Sequence, residues 1–147
     1  MRSASLLFFA CVTIYACKKN NTNPTTLPSQ ELTGTWRMVS VKDNALNITT
    51  TKPADLTGDV DMTFTFSSPD SGAINGSTTR NVFGGKCSVG NPRILLMQDV
   101  YSTEVNETSW GFLFLDNIYL SENYQIGIDN KLNINTSTNK TLTFSKQ

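Results

Sequence analysis

Apolar and polar residues alternate along several short stretches of this chain, a pattern typical of β-strands that bury one face. The clearest stretch is residues 59–66, in which every second position is apolar: Val60, Met62, Phe64 and Phe66. The intervening positions hold two aspartates and two threonines. The pattern therefore predicts a half-buried strand with one face toward solvent.

Further stretches predict the rest of a sheet. We expect strands at residues 35–41, 73–76, 93–97, 124–128, 131–135 and 141–144. The stretch 93–97 contains four consecutive apolar residues, which predicts a strand covered on both faces. The last three strands should form a meander with one apolar face, made of Ile126, Ile128, Leu132, Ile134, Leu142 and Phe144.

The connections are predicted from turn-forming residues. The Thr- and Asn-rich segment 42–58 is expected to be a long loop, because it contains Pro53 and no clear alternation. The chain is expected to bend at glycines within 81–87. We also expect turns at 67–72 and at Asn91-Pro92.

One helix is predicted at residues 104–118. Ser102 or Thr103 could cap its N-terminus, and Glu104 and Glu107 would complement the positive end of its dipole. Its apolar face is wide and it lacks a basic polar face, which favours packing on a sheet over lying in a membrane surface. The sequence thus predicts an α+β, mostly β fold: a curved antiparallel sheet (half-barrel) with one helix packed across it.

The N-terminal residues have a different pattern. A short segment with one basic residue, Arg2, precedes an uncharged apolar run at residues 6–16, too short for a membrane span of about 20 residues. Residues 14–17, Ile-Tyr-Ala-Cys, resemble the lipobox of bacterial lipoproteins, although Tyr15 replaces the usual small residue. This resemblance implies a signal peptide at 1–16 and lipid attachment at Cys17. An ordinary secretory signal that leaves Cys17 as a free thiol is the alternative.

Residues 17–30 follow as a polar, proline-containing tether, and the domain is expected at 31–147. Lys18, Lys19 and Asn20 come directly after Cys17, with no aspartate. By resemblance to lipoprotein sorting, this implies the outer membrane, with the periplasmic face favoured. The expected partners are the membrane, through the lipid, and an envelope protein of unknown identity; the domain is expected to be a monomer.

The amino-acid composition argues against several kinds of partner and catalytic site. The chain has 12 basic and 12 acidic residues and no histidine. Net charge near zero argues against nucleic acid as a partner, and the missing histidine excludes Ser-His-Asp and Cys-His catalysis. If Cys11 leaves with the signal peptide and Cys17 carries lipid, Cys87 has no disulfide partner, and we expect it to be a small buried hydrophobe. No cofactor is expected.

The order of the motifs resembles the META-domain family, the HslJ-like domain of bacterial lipoproteins. The matching pieces are Leu32-x-Gly34-x-Trp36, Gly76 with Asn81-Val82-Phe83-Gly84-Gly85, Ser102-Thr103-x-Val105 with Trp110 and Phe114, and the three closing strands. The resemblance spans residues 31–145. It implies a compact antiparallel sheet with a helix across it, an association with envelope stress and no established catalytic residues.

Two positions depart from that family. Arg80 stands where it usually has a cysteine before the asparagine, and Asn106 stands near the place of a second cysteine. A disulfide known in relatives therefore cannot be carried over to this chain.

Three residue groups are candidates for chemistry, each with a structural alternative. Asp59 and Asp61 could share a hard cation such as calcium, or simply face solvent. Asp99 and Glu104 could form a carboxylate pair like that of a glycosidase, although nothing fixes their separation. Gly84-Gly85 could cradle a phosphate, but a tight turn is favoured because no helix is expected to follow.

Three classes of function remain. The first is a non-enzymatic, lipid-anchored envelope domain that binds a protein or another envelope component. The second is a lipocalin-like carrier of a small apolar ligand, since Gly34-x-Trp36 also matches the lipocalin opening. A closed barrel with a void lined by Trp36, Phe64 and Ile126 would favour the carrier. The third is a hydrolase, which the missing histidine disfavours.

Overall fold

Nine strands and two short helices make up the part of the chain that a computed structural model describes, residues 27–147. In chain order they are α1 (Pro28–Leu32), β1 (Gly34–Asp43), β2 (Ile48–Thr51), β3 (Asp61–Phe66), β4 (Ser71–Ser77), β5 (Val82–Gly90), β6 (Ile94–Ser102), α2 (Ser109–Ile118), β7 (Ser121–Ile126), β8 (Leu132–Thr136) and β9 (Lys140–Lys146).

The sheet closes on itself because β1 pairs with two strands. One side of β1 pairs antiparallel with β3, beginning at Gly34 and Phe64, and the other side pairs with β9 from Trp36 to Asp43. From β3 to β9 each strand pairs antiparallel with the next along the chain. The result is an eight-stranded antiparallel barrel, with β2 attached beside the end of β1.

The predicted fold class is confirmed. The chain is mostly β, its sheet is curved and antiparallel, and a helix lies across it. The closure through β1 and β9 completes the curve that the sequence predicts, and a second helix, α1, begins at Pro28 within the segment assigned to the tether.

The two helices lie at opposite ends of the barrel. At the α1 end, α1 leads into β1, and the turns 67–70, 91–93 and 127–131 join neighbouring strands. At the α2 end lie the β4–β5 turn, the β8–β9 turn and the segment from 103 to 120. The first described residue, Leu27, immediately precedes α1 and lies at the α1 end of the barrel.

Helix α2 spans the width of its barrel end. Near its middle, the fully buried Phe114 packs against Phe83 of β5 and Phe144 of β9, with ring centroids 4.8 and 6.3 Å away. At its C-terminal end, Thr138 of the β8–β9 turn donates a hydrogen bond to Asn117 Oδ1 at 3.1 Å. Since β5 and β9 lie on opposite sides of the eight-stranded ring, α2 covers the barrel end.

The core inside the barrel is one cluster. Among residues 27–147, its 21 buried hydrophobic members come from both helices, every barrel strand and the residue before β3: Leu32, Trp36, Met38, Val41, Val60, Met62, Phe64, Ile74, Phe83, Cys87, Val89, Leu95, Met97, Trp110, Phe114, Ile118, Tyr124, Leu132, Ile134, Leu142 and Phe144. Side chains of alternate positions along each strand fill the interior, as expected for a small barrel.

The predicted start of the helix is wrong. Helix α2 begins at Ser109, with Thr108 as its N-cap, and neither Ser102 nor Thr103 caps it. The reason lies in Asn81, whose Oδ1 accepts hydrogen bonds from Thr103 Oγ1 and from Val105 N, both at 2.8 Å. These bonds hold the segment before Thr108 against the β4–β5 turn and outside the helix.

Four further predictions from the sequence differ from the structure. The predicted loop 42–58 contains the polar strand β2, and the glycines of 81–87 lie in a continuous strand with a register shift between Gly84 and Lys86. Strand β6 buries only one face, since Ile94 is 41% and Leu96 43% exposed. Ile128 lies outside the apolar face of the closing strands and is fully exposed in a turn.

Candidate functional site

Cys17, the predicted lipid-attachment residue, lies outside the described residues, whereas Cys87 lies within them. Cys87 is 2% exposed in β5, and burial raises the pKa of its thiol to about 11. A thiol that stays protonated at neutral pH is a poor nucleophile, so Cys87 is a core residue, as expected from the sequence.

Asp59 and Asp61 bind basic side chains of the chain itself. Arg37 contacts Asp61 through two hydrogen bonds of 2.8 and 2.9 Å and lies 3.1 Å from Asp59, and Lys52 lies 2.7 Å from Asp59. The hydrogen bond from Lys52, aided by the charge of Arg37, lowers the pKa of Asp59 against the opposing effect of burial. These contacts give the two carboxylates a structural explanation without calcium.

The other two candidates are also accounted for by local packing. Asp99 pairs with Lys86 at 2.7 Å, while Glu104 is exposed in the segment before α2, and no hydrogen bond or ion pair in residues 27–147 joins the two carboxylates. At Gly84, a Cβ atom would lie 2.5 Å from the Tyr101 hydroxyl oxygen. Gly84 therefore lies directly against the ring of the exposed Tyr101 of β6, within a continuous strand, and the predicted tight turn is wrong.

A groove at the α1 end brings together residues from distant parts of the chain. Its volume is about 430 Å³, and it is lined by Glu31, Trp36, Arg93, Ile126, Asn130 and Lys146. Of the three residues whose lining of a void would favour a carrier, Trp36 and Ile126 line this groove, whereas Phe64 is fully buried in the core. We call this feature the α1-end groove.

Lys146 lies across the edge of this groove. Its Nζ is 5.1 Å from the centroid of the Trp36 ring, a cation–π distance. Gly34 leaves room for this arrangement: its φ is +119°, and a Cβ atom there would lie 3.3 Å from Lys146 Cε. The Trp36 indole is held on the side of α1, since its Nε1 donates a hydrogen bond of 2.7 Å to Leu32 O.

The other wall of the α1-end groove is an ionic cluster. Arg93 Nη2 is 3.2 Å from Glu31 Oε1, and the Tyr124 hydroxyl donates to Glu31 Oε2 at 3.3 Å. Burial, together with the negative charge of Glu31, raises the pKa of Tyr124 to about 12. The groove can therefore hold a small polar or amphipathic molecule, but Tyr124 stays protonated and is not poised as a base.

The α2 end contains a buried carboxylate. Glu107, 7% exposed, accepts hydrogen bonds from the hydroxyls of Thr78 and Thr79, from Asn81 Nδ2 at 2.8 Å and from Thr108 N at 2.8 Å. Burial alone would raise the pKa of Glu107, but these four donors outweigh it and lower the pKa to about 2. We call this group the Glu107 cage.

The hydrogen-bond donors that surround the Glu107 carboxylate all belong to the chain itself. A carboxylate that accepts several neutral donors is stabilised in its charged form without a cation. The sequence offered no local signal for the cage, because its donors Thr78, Thr79 and Asn81 come 26 to 29 residues earlier. The same holds for the α1-end groove, where Trp36 and Lys146 meet from the two ends of the domain.

Neither helix in residues 27–147 has the length and hydrophobicity that a bilayer crossing requires. Over the same residues, no group of three or more acidic, cysteine or histidine side chains is arranged to hold a metal ion.

Two solved structures resemble this barrel. The NMR structure of a protein from Burkholderia xenovorans matches 81% of this chain and 86% of its own, with a TM-score of 0.60 and 16% identity. The crystal structure of a DUF4847 family protein from Bacteroides vulgatus matches 83% of this chain and 99% of its own, with a TM-score of 0.58 and 16% identity.

These structural matches establish the fold alone. No protein-family model matches the chain, and no curated protein matches it. An eight-stranded antiparallel barrel is also the architecture of lipocalins, so the barrel is consistent with the lipocalin-like alternative at the level of fold.

Proposed function

We propose that this chain is a lipid-anchored protein of the bacterial cell envelope whose META-like barrel acts without catalysis, by binding a protein or another envelope component. The observation that carries the proposal is the filled and covered barrel. Buried side chains from every barrel strand occupy the interior, α2 lies across one end and α1 lies at the other. Binding then takes place on the outside of the barrel.

The N-terminal segment supplies the anchor in this proposal. Lipid on Cys17 would hold the domain at the outer membrane, with the periplasmic face favoured, and the polar residues that follow would separate it from the bilayer. One acyl chain binds a membrane only marginally, whereas two or more anchor it stably. Since the tether joins the barrel at the α1 end, the α2 end would be the more distant from the membrane.

Envelope fractionation tests the anchor. The full-length chain is compared with Cys17→Ser in a bacterial host, and both are followed by immunoblot through soluble, inner-membrane and outer-membrane fractions. We expect the unaltered chain in the outer-membrane fraction and Cys17→Ser displaced from it. Identical partition of the two chains into the soluble fraction would contradict the proposal.

The META assignment is supported by how two of its motifs meet. Asn81 of the central motif contacts Thr103 and Val105 of the motif before the helix. Its Nδ2 also donates to Val105 O at 2.8 Å. The motifs that resemble the family in sequence thus form one hydrogen-bonded unit in this barrel.

The two positions that depart from the family also lie together. Arg80 Nη1 donates to Asn106 O at 3.1 Å. The residues beside them are also joined, since Thr79 bonds to Thr108 at 2.7 Å and Asn81 bonds to Val105. The two positions at which the resemblance implies cysteines therefore lie on segments that contact each other in this fold.

A double cysteine variant tests that correspondence. In an oxidising envelope, Arg80→Cys combined with Asn106→Cys should form a disulfide, seen as a mobility shift that reductant reverses. Arg80→Cys combined with Thr138→Cys is the matched control, since Thr138 lies in the β8–β9 turn. Failure of the first pair to oxidise would weigh against the META assignment.

The absence of catalysis remains part of the proposal and has its own test. The chain has no histidine, and the Cys87 thiol and the Tyr124 phenol both have raised pKa values. We expect no turnover on a panel of esters, peptides and glycosides. Turnover that disappears in Asp59→Asn or Asp99→Asn would establish a hydrolase instead.

One observation favours a second candidate, a lipocalin-like carrier. The α1-end groove is lined by Trp36 and Ile126 and has room for a small molecule. Binding of a fluorescent fatty acid tests it, with Lys146→Glu as the groove variant and Lys140→Glu, at the other barrel end, as the control. Saturable binding that only Lys146→Glu weakens would support the carrier; binding unaffected by both substitutions would rule out this groove.

A further inference from the structure

The outer face of α2 is apolar and open to solvent. Phe112 and Tyr119 are 47% and 54% exposed, although Phe114, on the same helix, is fully buried. Asp116 is exposed between them and is the only charged residue of α2. Residues three and four apart are neighbours on a helix surface, so Phe112, Asp116 and Tyr119 form one continuous strip.

A groove extends this strip on the side of β6. Strand β6 pairs with β7 at Ile94 and Asn123, and then continues to Ser102 beside α2. The space between them has a volume of about 440 Å³, and its lining includes Leu115 and Tyr119 from the helix and the 67% exposed Tyr101 from the strand.

A second, smaller groove extends the strip on the opposite side. It has a volume of about 190 Å³ and lies between Leu113 of α2 and the β1–β2 hairpin. Two apolar residues of that hairpin line it, Leu46 and Ile48, which are 68% and 56% exposed. The helix strip and its two grooves therefore make one apolar surface across the barrel end, which we call the α2-end surface; contiguous exposed apolar surface of this kind marks interaction sites.

We propose that the α2-end surface binds a protein partner through a segment that presents apolar side chains together with a basic residue opposite Asp116. This inference rests on the proposed function, for which it names the binding surface and the class of partner.

The N-terminal part of this chain does not suit the surface. Residues 18–26, which join Cys17 to the described domain, contain no apolar residue larger than a proline. Leu27, which follows them, lies at the α1 end, and under the proposed function Cys17 would be held at the membrane. The segment can therefore neither fill the two grooves nor supply the aromatic or aliphatic contacts that the surface requires.

The charge at the centre of the surface argues against a second copy. In a symmetric dimer the same patch faces itself, so two Asp116 carboxylates would approach each other. Within residues 27–147, Asp116 forms no ion pair, and the two grooves beside it are lined by two further aspartates, Asp99 and Asp43, against one lysine, Lys140. A basic partner residue would satisfy Asp116, whereas a like charge costs binding energy.

The same charges argue against an anionic lipid surface. Helices that lie in a membrane interface carry Lys and Arg on their polar face, and α2 carries only Asp116. The α2-end surface is also on the side of the barrel away from the tether.

Site-specific photo-crosslinking in cells tests the proposal with the full-length chain. A benzophenone amino acid replaces Phe112 or Tyr119 in turn, and Ile128, fully exposed at the α1 end, is the control position. Crosslinked products are detected by immunoblot, and the joined peptides are identified by mass spectrometry. The same cells are fractionated, so that loss of anchoring and loss of partner contact are separate readouts.

We expect a product at 112 and 119 that is absent at 128, and the joined peptide should belong to another protein and contain apolar residues next to Lys or Arg. Asp116→Lys should reduce its yield by about tenfold, because a like charge then faces the basic partner residue. Asp116→Asn separates lost attraction from misfolding and should reduce the yield less. Equal products at all three positions, a product with a second copy or with lipid, or no product would overturn the proposal.

Discussion

The two ends of the barrel are covered by helices of different design. At the α2 end, a ten-residue helix places Phe114 in the core and is tied to the β4–β5 turn by the buried Glu107 cage. At the α1 end, a five-residue helix buries Leu32, and its ionic contact, Glu31 with Arg93, faces an open groove. At the α2 end, buried polar groups hold the helix segment to the barrel. At the α1 end, polar groups line a solvent-accessible groove.

This difference between the barrel ends bears on the choice between the two candidate functions, a domain that binds an envelope component and a carrier of a small ligand. A carrier needs an end that opens or an interior that is empty, while a binding domain needs a fixed surface. The Glu107 cage and the buried Phe114 make the α2 end a fixed surface. The α1-end groove, with its half-exposed Arg93 and exposed Lys146, is where a small ligand could still be held.

The largest expected effect comes from removing the core contact of α2. Phe114→Ala should lower the free energy of unfolding by about 3–5 kcal/mol, because the ring is fully buried against Phe83 and Phe144. Phe112→Ala, on the exposed face of the same helix, should change it by less than about 0.5 kcal/mol. Urea denaturation measures both, and equal losses would mean that α2 does not contribute to the core as described.

The second prediction compares one carboxylate from each end. Glu107→Gln should cost roughly 1.5–3 kcal/mol, since it removes the charge that four buried donors stabilise. Glu31→Gln should cost less than about 1 kcal/mol, because its partner Arg93 is 43% exposed. Denaturation at neutral pH and constant ionic strength checks the pair; a larger loss for Glu31→Gln would reverse the comparison.

The third prediction concerns pH. The folded-state pKa of Glu107 is about 2, below its unfolded value of 4.5, so its contribution to stability is complete above pH 4.5 and is lost as pH falls toward 2. The difference in unfolding free energy between the unaltered protein and Glu107→Gln should shrink through that window. A difference that is constant, or that grows on acidification, would contradict the Glu107 cage.

The last prediction concerns a weak contact at the edge of the α1-end groove. Lys146→Ala should cost about 0.5–1 kcal/mol by removing the cation above Trp36. Lys146→Arg should retain most of that stability, because a guanidinium can occupy the same place. A loss from Lys146→Ala as large as that from Glu107→Gln would show that the α1 end is fastened as firmly as the α2 end.

The sequence predicts those parts of the fold that local patterns encode. The alternation around Met62 and Phe64 predicts β3 because one face is buried and the other is solvated. The end of α2 at Ile118 agrees with the predicted end at 118. The polar strand β2 gives no such signal, because all four of its residues are exposed.

Contacts between distant residues explain the rest. The start of α2 is set by Asn81, which bonds to Thr103 and Val105, and no property of the segment 102–108 reveals this. Barrel closure depends on β1 and β9, which lie at opposite ends of the domain. Both candidate sites depend on contacts between distant residues, so the sequence predicted neither the Glu107 cage nor the ionic cluster of Glu31, Arg93 and Tyr124.

Native-state hydrogen exchange of α2 tests most directly whether this barrel binds from the outside. If α2 is a fixed cover, the backbone amides of Phe114 and Ile118 should exchange only through global unfolding, with opening free energies equal to those of the core strands. The barrel would then have no open state that admits a ligand at the α2 end. Exchange of these amides at much lower opening free energy, while β5 and β9 stay protected, would contradict this account and favour a carrier that opens at α2.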